Sequence, residues 1–148
     1  MKRPPEIEFH EDIRLLIYRP RGLLNEAAFN KVLSALEDLE AKLQEPFNRF
    51  SDTLEAHEVE LNFKYIIQVS LHRRLSYASR PTVKSAILAT DSTMIHYGRL
   101  HALLTQGSPI NVCIFQQIFL KFITKQILNF ITLMIIIQIF GTVDILCD

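Results

Sequence analysis

The chain has 148 residues, of which 49% are hydrophobic and 22% are charged, and its 16 Lys and Arg side chains balance its 16 Asp and Glu side chains. This length is typical of one domain with one hydrophobic core, and the composition excludes a disordered chain. A net charge of zero provides no general attraction for phosphate backbones, so we expect no binding to nucleic acid. With four glycines, the chain also lacks a P-loop or dinucleotide-binding fingerprint.

The N-terminal region predicts a β-hairpin. Apolar residues recur at every second position over residues 6–10 and again over 13–19, which is the period of a strand with one buried face. Glu11 and Asp12 lie between the two runs and favour a turn. The region contains no apolar run of the kind found in secretory signals, so we expect a cytoplasmic protein.

The next segment predicts an amphipathic helix over residues 26–44. Asn25 is a favourable N-cap, and the leucines behind it follow the spacing of one helical face. The charged residues of this helix, Glu40 among them, are expected to lie on its solvated face.

A strand, an acidic loop and a second helix are predicted after this first helix. The strand covers residues 47–53, and the loop covers 54–61, where glutamates are frequent. The second helix begins at about Asn62. Three further elements are predicted beyond it: a buried strand over 83–90, a helix capped by Asp91 or Ser92, and a strand over 110–115.

The order of these elements predicts an α/β fold with a mixed, mainly parallel five-stranded sheet, an N-terminal β-hairpin and helices packed on the sheet. Strands that are separated by helices pair in parallel through right-handed crossovers, so only the opening hairpin is antiparallel. We assign residues 1–117 to this domain and treat residues 118–148 as a separate segment.

The C-terminal segment has an unusual composition. Residues 110–148 contain no Ala, Arg or Glu, whereas Ile occurs eleven times. Residues 118–148 fit three interpretations: an extra hydrophobic helix that buries itself on the domain or supports self-association, a membrane anchor, or a non-native ending from a shifted reading frame. The anchor would be residues 126–143, an uncharged run of 18 residues, but we favour the first interpretation.

The polar residues predict neither catalysis nor metal binding. The five histidines fall on a strand, a loop and two helices, whereas a zinc site needs three or four converging ligands. No nucleophile has a base beside it in the predicted elements. We therefore expect no catalytic residues, no cofactor and no metal, and no enzymatic activity.

Two groups of polar side chains predict a surface for a protein partner. One group belongs to the acidic segment that follows the third strand, at the sheet edge where open α/β folds bind ligands. The other is a pair of arginines near the end of the second helix, where guanidinium groups stabilise the helix dipole or bind anions. The predicted partner-binding residues are Asp52, Glu55, Glu58, Asn62, Arg73 and Arg74.

Several stretches of the chain resemble a known family. They are residues 7–9 with 16–22, 46–52 (Pro-Phe-Asn-Arg-Phe-Ser-Asp), 80–86 (Arg-Pro-Thr-Val-Lys-Ser-Ala) and 107–110 (Gly-Ser-Pro-Ile). Over residues 6–115 the chain is similar to the SpoIIAA-like branch of the STAS domain proteins. This resemblance implies a small cytoplasmic bacterial α/β domain that acts through protein contacts or a small ligand and without turnover. The best-known members carry a phosphorylatable serine before the second helix, but residues 59–63 contain no Ser or Thr.

Two functions are consistent with these observations. The first is a non-enzymatic STAS-like protein-interaction or regulatory module without the usual serine, which uses residues 52–62 and the exposed side of the second helix. The alternative is a carrier or sensor of a small apolar ligand or lipid, held between the sheet and the helices and membrane-tethered if residues 126–143 are an anchor. Five aromatic residues are the expected lining of that space: Phe47, Phe50, Phe63, Tyr65 and Tyr77.

Overall fold

An antiparallel hairpin opens the fold. In the computed structural model, which describes residues 5–116, strand β1 (Ile7–His10) pairs with β2 (Leu15–Tyr18). Arg14 adopts a φ of 52° just before β2, in the connection where the turn was predicted. The predicted segment 118–148 and the anchor within it lie outside the described residues.

Three helices follow, and each begins after an Asn or Asp side chain that caps it. The helices are α1 (Glu26–Lys42), α2 (Phe63–Ser76) and α3 (Ser92–Thr105). The side-chain oxygens of Asn25, Asn62 and Asp91 accept hydrogen bonds from the backbone N–H three residues later, at 2.9, 2.8 and 2.9 Å. These bonds satisfy donors that a helix leaves free at its N-terminus, which explains why the predicted starts are confirmed.

The main sheet contains five strands in the order β1-β2-β4-β6-β7. Its last three strands are β4 (Asn48–Asp52), β6 (Val83–Ala89) and β7 (Ile110–Gln116). The pairs β2–β4, β4–β6 and β6–β7 are all parallel, so the hairpin is the antiparallel part of the sheet. This topology confirms the predicted α/β fold. The strand β6 is interior, as predicted, and its Ala86, Leu88 and Ala89 are buried.

A second, two-stranded sheet corrects the prediction of an acidic loop. Residues 54–61 are not all loop, because Ala56–Glu60 forms strand β5, which pairs in parallel with β3 (Gly22–Asn25). The hydrogen bonds of β5 come from a strand that is distant in the sequence. A local composition rich in glutamate therefore gave no indication of a strand.

The helices pack together on one face of the main sheet. The parallel strands are added in the order β2, β4, β6 and β7, each beside the one before it and always towards the same edge of the sheet. Because crossovers between parallel strands are right-handed, the three connecting helices lie on the same face of the sheet. One core cluster joins Tyr18 of β2 to Val32, Ile66 and Met94, which come from α1, α2 and α3. Among residues 5–116, none of the helices combines the length and the hydropathy needed to cross a membrane.

Candidate functional site

A cavity of about 120 Å³ lies between the sheet and the three helices. Engineered protein cavities of about 150 Å³ with similar aliphatic walls stay dry and bind benzene. The walls come from all three helices and from the sheet, and they include Val32, Leu36, Ile66, Val69, Ile87 and Met94. The space is therefore suited to a small apolar molecule.

Polar side chains also line this cavity. They include Arg49 of β4, Ser85 of β6, Ser70 and Arg73 of α2, and His101 of α3. Arg49 and Ser85 are paired in the register of β4 and β6. Because Arg49 lies near the start of β4 and Arg73 lies in the last turn of α2, the charged end of the cavity is at the amino ends of the parallel strands.

The carboxylate of Glu40, near the end of α1, is the centre of a group of ionic contacts. Arg73 donates two hydrogen bonds to it, from Nη1 at 3.0 Å and from Nη2 at 2.5 Å. Arg49 Nη2 and the Tyr77 hydroxyl donate to Oε1 at 2.5 Å each, and Arg80 Nη1 lies 3.5 Å from Oε2. We refer to Glu40, Arg49, Arg73, Tyr77 and Arg80 as the Glu40 cluster.

The Tyr77 ring is packed among the three guanidinium groups of this cluster. The central carbons of Arg49, Arg73 and Arg80 lie 4.8, 4.9 and 5.2 Å from the ring centroid. These distances are within the range of cation–π attraction. The hydroxyl of Tyr77 accepts a hydrogen bond from Arg49 and donates one to Glu40. Tyr77 therefore stabilises the cations with its ring and the anion with its hydroxyl.

The surroundings of Glu40 keep it ionised. Burial raises the pKa of Glu40, but hydrogen bonds from Arg73 and Tyr77 and the charges of Arg73 and Arg49 outweigh burial, so the pKa is lowered. Burial raises the pKa of the Tyr77 hydroxyl, which stays protonated. The cluster near neutral pH thus contains one carboxylate, one neutral phenol and three guanidinium groups.

Ser70 and His101 form a second polar contact beside the cluster. The Ser70 hydroxyl and the His101 Nδ1 share a hydrogen bond of 2.9 Å, and Ser70 is fully buried. Burial and the charges of Arg73 and Arg49 lower the pKa of His101 to about 4. This serine and histidine pair was not predicted from the sequence. A neutral histidine with so low a pKa is a weak base near pH 7, and the charges that act on it oppose formation of an imidazolium.

A surface cleft lies on another side of the Glu40 cluster. Glu40, Tyr77 and Arg80 line it together with Phe47 and Pro81. The Arg80 side chain is 41% exposed, whereas that of Arg73 is 3% exposed. The cluster is thus adjacent both to the cavity and to solvent.

The acidic part of the predicted partner surface lies at the other end of the sheet. Asp52 ends β4, and burial raises the pKa of its carboxyl group. Glu55 and Glu58 are exposed, and Glu55 accepts a hydrogen bond of 3.1 Å from Arg21 Nε. Asn62 is the N-cap of α2 and also donates to Glu26. These four residues thus lie along the segment from the end of β4 to the start of α2, and their binding of a partner stays a prediction.

The arginine part of that surface needs a correction. Arg73 is buried and bound to Glu40, so it does not lie on the exposed side of α2. Arg74 is exposed and donates to the carbonyl of Leu104 at 3.2 Å. At a rise of about 1.5 Å per residue, Arg74 is roughly 18 Å along α2 from Asn62. The six predicted residues therefore do not form one patch.

The predicted aromatic lining is also mostly displaced. Of the five residues, Phe50 lines the cavity. Phe47 and Tyr77 line the surface cleft, and Phe63 is 54% exposed. The Tyr65 hydroxyl donates to Asn30 at 2.7 Å. The cavity walls are instead mainly aliphatic.

Helical spacing contains the signal for the residues that sequence reasoning missed. Glu40 was assigned to the solvated face of α1, yet its side chain is 5% exposed. Leu36, Glu40 and Leu43 follow one another at intervals of four and three, so Glu40 continues the apolar stripe of α1. Ser70 and Arg73 continue the stripe of α2 in the same way. A charged residue within such a stripe indicates a buried ionic contact.

Comparisons with known proteins assign no family to the chain. No protein-family model, no curated protein and no solved structure matches it. The resemblance to STAS domain proteins therefore stays a prediction, and the function must follow from the cavity and the Glu40 cluster.

Proposed function

We propose that the protein is a non-enzymatic, STAS-like regulatory module that carries or senses a small apolar ligand. The cavity between the sheet and the helices carries this proposal. Side chains that border an unfilled space lose the van der Waals contacts that a close-packed core would give them, which costs free energy. A ligand that occupies the space recovers part of that free energy as binding affinity.

The dimensions of the cavity limit the ligand. A volume of about 120 Å³ is close to that of cavities that hold one benzene molecule. The ligand class is accordingly a single ring or a short chain, rather than a long lipid tail. Val32 and Leu36 on one side and Ile87 on the other supply apolar contacts to such a molecule.

Binding without turnover agrees with the polar groups in the cavity. Ser70 shares a hydrogen bond with His101, but burial and the charges of Arg73 and Arg49 lower the pKa of His101 to about 4, so the ring is neutral. Activation of a serine hydroxyl requires a base that accepts its proton near the working pH. Ser70 and His101 are better suited to orient a ligand through hydrogen bonds.

Native mass spectrometry of the full chain tests this proposal. We expect the purified protein to carry, or to take up when toluene is added, one small organic molecule that is released on denaturation. Val69→Phe fills the cavity from α2 and should abolish uptake. The matched control is Gln68→Phe, which adds the same ring at the preceding position, where the side chain is exposed, and should leave uptake unchanged. A bare chain under all conditions, or equal uptake by both variants, would contradict the proposal.

A second function, protein binding, is favoured by the exposed side of α2. Leu71 and Leu75 are 43% and 76% exposed and lie one helical turn apart. Lys64 lies on the same side, and Arg74 lies next to Leu75. We propose that this surface binds a protein partner that presents apolar side chains flanked by acidic ones, because such a partner complements both the leucines and the cations.

Affinity capture with matched variants tests the second function. Leu71→Ser together with Leu75→Ser should remove a partner that the wild-type chain retains. Ile13→Ser is the control, because Ile13 is similarly exposed, at 41%, but lies in the β1–β2 connection. Equal capture by the wild type and both variants would exclude this surface.

A further inference from the structure

The Glu40 cluster contains more positive than negative charge. Three guanidinium groups surround one carboxylate. Arg80 is 41% exposed, so solvent screens its charge. Arg49 and Arg73 have side chains that are 10% and 3% exposed, and they share the single carboxylate of Glu40. The buried part of the cluster therefore has an excess of one positive charge.

Groups within the described fold offset this charge only in part. The C-terminal ends of the helices supply about half an elementary charge each at most, and their effect falls off within one turn. The Tyr77 ring attracts the cations, but its hydroxyl has a raised pKa and supplies no negative charge. An isolated buried charge costs several kcal/mol. A further anion near Arg49 and Arg73 would remove this cost.

One donor of Arg49 also lacks an acceptor. Arg49 is 8% exposed and lines the cavity, and within the part of the chain that the structure describes its buried Nε has no hydrogen-bond partner. Buried N–H groups are nearly always paired. The Nε of Arg14 also lacks a hydrogen-bond partner within the described residues, but Arg49 is the one of the two that lines the cavity, where a ligand could supply the acceptor. Ser70, Ser85 and His101 line the same cavity and provide neutral polar groups.

We infer that the ligand of this cavity is a small apolar monocarboxylate, whose carboxylate binds Arg49 at the charged end and whose ring or chain fills the aliphatic end. This inference rests on the proposed ligand-binding function and names its ligand class. One carboxylate supplies the single negative charge that the buried arginines lack, and its planar pair of oxygens matches a guanidinium group. A dianionic phosphate ester would exceed the excess charge and would place more oxygens than an apolar cavity can satisfy.

The test compares benzoate with benzamide, which has nearly the same shape and no charge. Binding to the full chain at pH 7 is measured by calorimetry and by NMR, with toluene as the purely apolar probe. We expect benzoate to bind at least about tenfold more tightly than benzamide, as a charged hydrogen bond predicts. NMR should also show the titration of His101 moving to higher pH when benzoate binds, because a carboxylate offsets the charges of Arg49 and Arg73.

Two arginine variants locate the effect. Arg49→Met leaves Glu40 paired with Arg73, so the fold should persist, and the preference for benzoate should disappear. Arg49→Lys keeps the charge and should retain part of the preference. Arg99→Met is the matched control, because Arg99 is exposed on α3 and belongs neither to the Glu40 cluster nor to the cavity lining, so the benzoate preference should stay within about twofold of wild type.

The outcomes separate this inference from the function on which it rests. If toluene binds but benzoate and benzamide bind with equal affinity, the ligand is not a carboxylate, and the proposed binding of a small apolar ligand still stands. A benzoate preference that survives in Arg49→Met would likewise overturn the assignment to Arg49. If none of the three probes binds, both the inference and the proposed function are wrong.

Discussion

The charged side chains at the two ends of the parallel sheet differ in how deeply they are buried. At the amino ends of the strands, Glu40, Arg49 and Arg73 are buried and bind one another across α1, β4 and α2. At the carboxyl ends, Glu55 and Glu58 are exposed and Glu55 pairs with Arg21 at the surface, although Asp52 is partly buried. Open α/β sheets usually bind ligands at their carboxyl ends, yet the charged residues of this cavity lie at the amino ends. The proposed ligand would therefore bind at the end of the sheet where the charges are buried, rather than at the end where acidic residues are most frequent.

Among the variants that compare the two ends, loss of the Glu40 carboxylate should have the largest effect on stability. Glu40→Gln leaves Arg49 and Arg73 buried without an anion, so we expect the free energy of unfolding to fall by about 3–5 kcal/mol. Urea denaturation measures this change. Arg49→Met removes a cation from the same cluster and restores the charge balance, so its effect should be below about 1 kcal/mol. Equal losses in both variants would contradict the charge imbalance.

As the pH falls, groups at the buried amino ends of the strands should lose their contribution to stability before the exposed glutamates at the carboxyl ends are protonated. The pKa of His101 is lowered from an ordinary value of 6.5 to about 4 in the folded chain. The contribution of the neutral ring to the free energy of unfolding is therefore complete above pH 6.5 and is lost as the pH falls towards 4. This difference in pKa corresponds to about 3 kcal/mol. Glu40 also has a lowered pKa, so its contribution is present above its ordinary pKa of 4.5 and is lost at still lower pH.

The pH dependence can be assigned with one variant. In His101→Gln, the decline in thermal stability between pH 6.5 and 4 should be much shallower than in the wild type. His72→Gln is the control, because the His72 side chain is 65% exposed and contacts Glu37 at the surface. If the two variants have the same pH profile, His101 is not the titrating group.

At the carboxyl end, a helix cap should have a moderate effect. Asn62→Ala removes the acceptor of the Tyr65 backbone N–H, and we expect a loss of about 1 kcal/mol in the free energy of unfolding. Asn62→Ser keeps a capping oxygen and should recover most of the loss. A loss of stability as large as that of Glu40→Gln would mean that the carboxyl end of the sheet contributes as much to stability as the buried amino end, which would contradict the comparison.

The smallest effect is expected for an exposed glutamate at that end. Glu58→Gln changes a solvated side chain on β5, so stability should change by less than about 0.5 kcal/mol. Chemical denaturation at low and moderate salt checks this value. A change above about 1 kcal/mol would show that Glu58 takes part in an ionic contact within the fold.

Much of the fold was predictable because its signals are local. The N-caps Asn25, Asn62 and Asp91 lie next to the helices that they start, and the hairpin alternation is contained within a few residues. The pairing of β3 with β5 was missed because it joins segments that are far apart in the sequence. Their alternation is also interrupted by a shift in register after Gly22.

The site was less predictable than the fold. Glu40 and Arg73 occupy positions on apolar helical stripes, so their burial could have been derived from spacing alone. Their meeting with Arg49 could not, because it depends on how α1 and α2 cross the sheet. The cavity is still harder to foresee, since it is the space that side chains from all three helices and five of the strands leave unfilled.

Methyl NMR of the full chain during titration with toluene tests the central claim most directly. If the cavity binds small apolar molecules, the methyl signals of Val32, Val69 and Ile87 should shift together, while those of the exposed Leu71 and Leu75 stay in place. Shifts at Leu71 and Leu75 without any change at the three cavity residues would contradict the account.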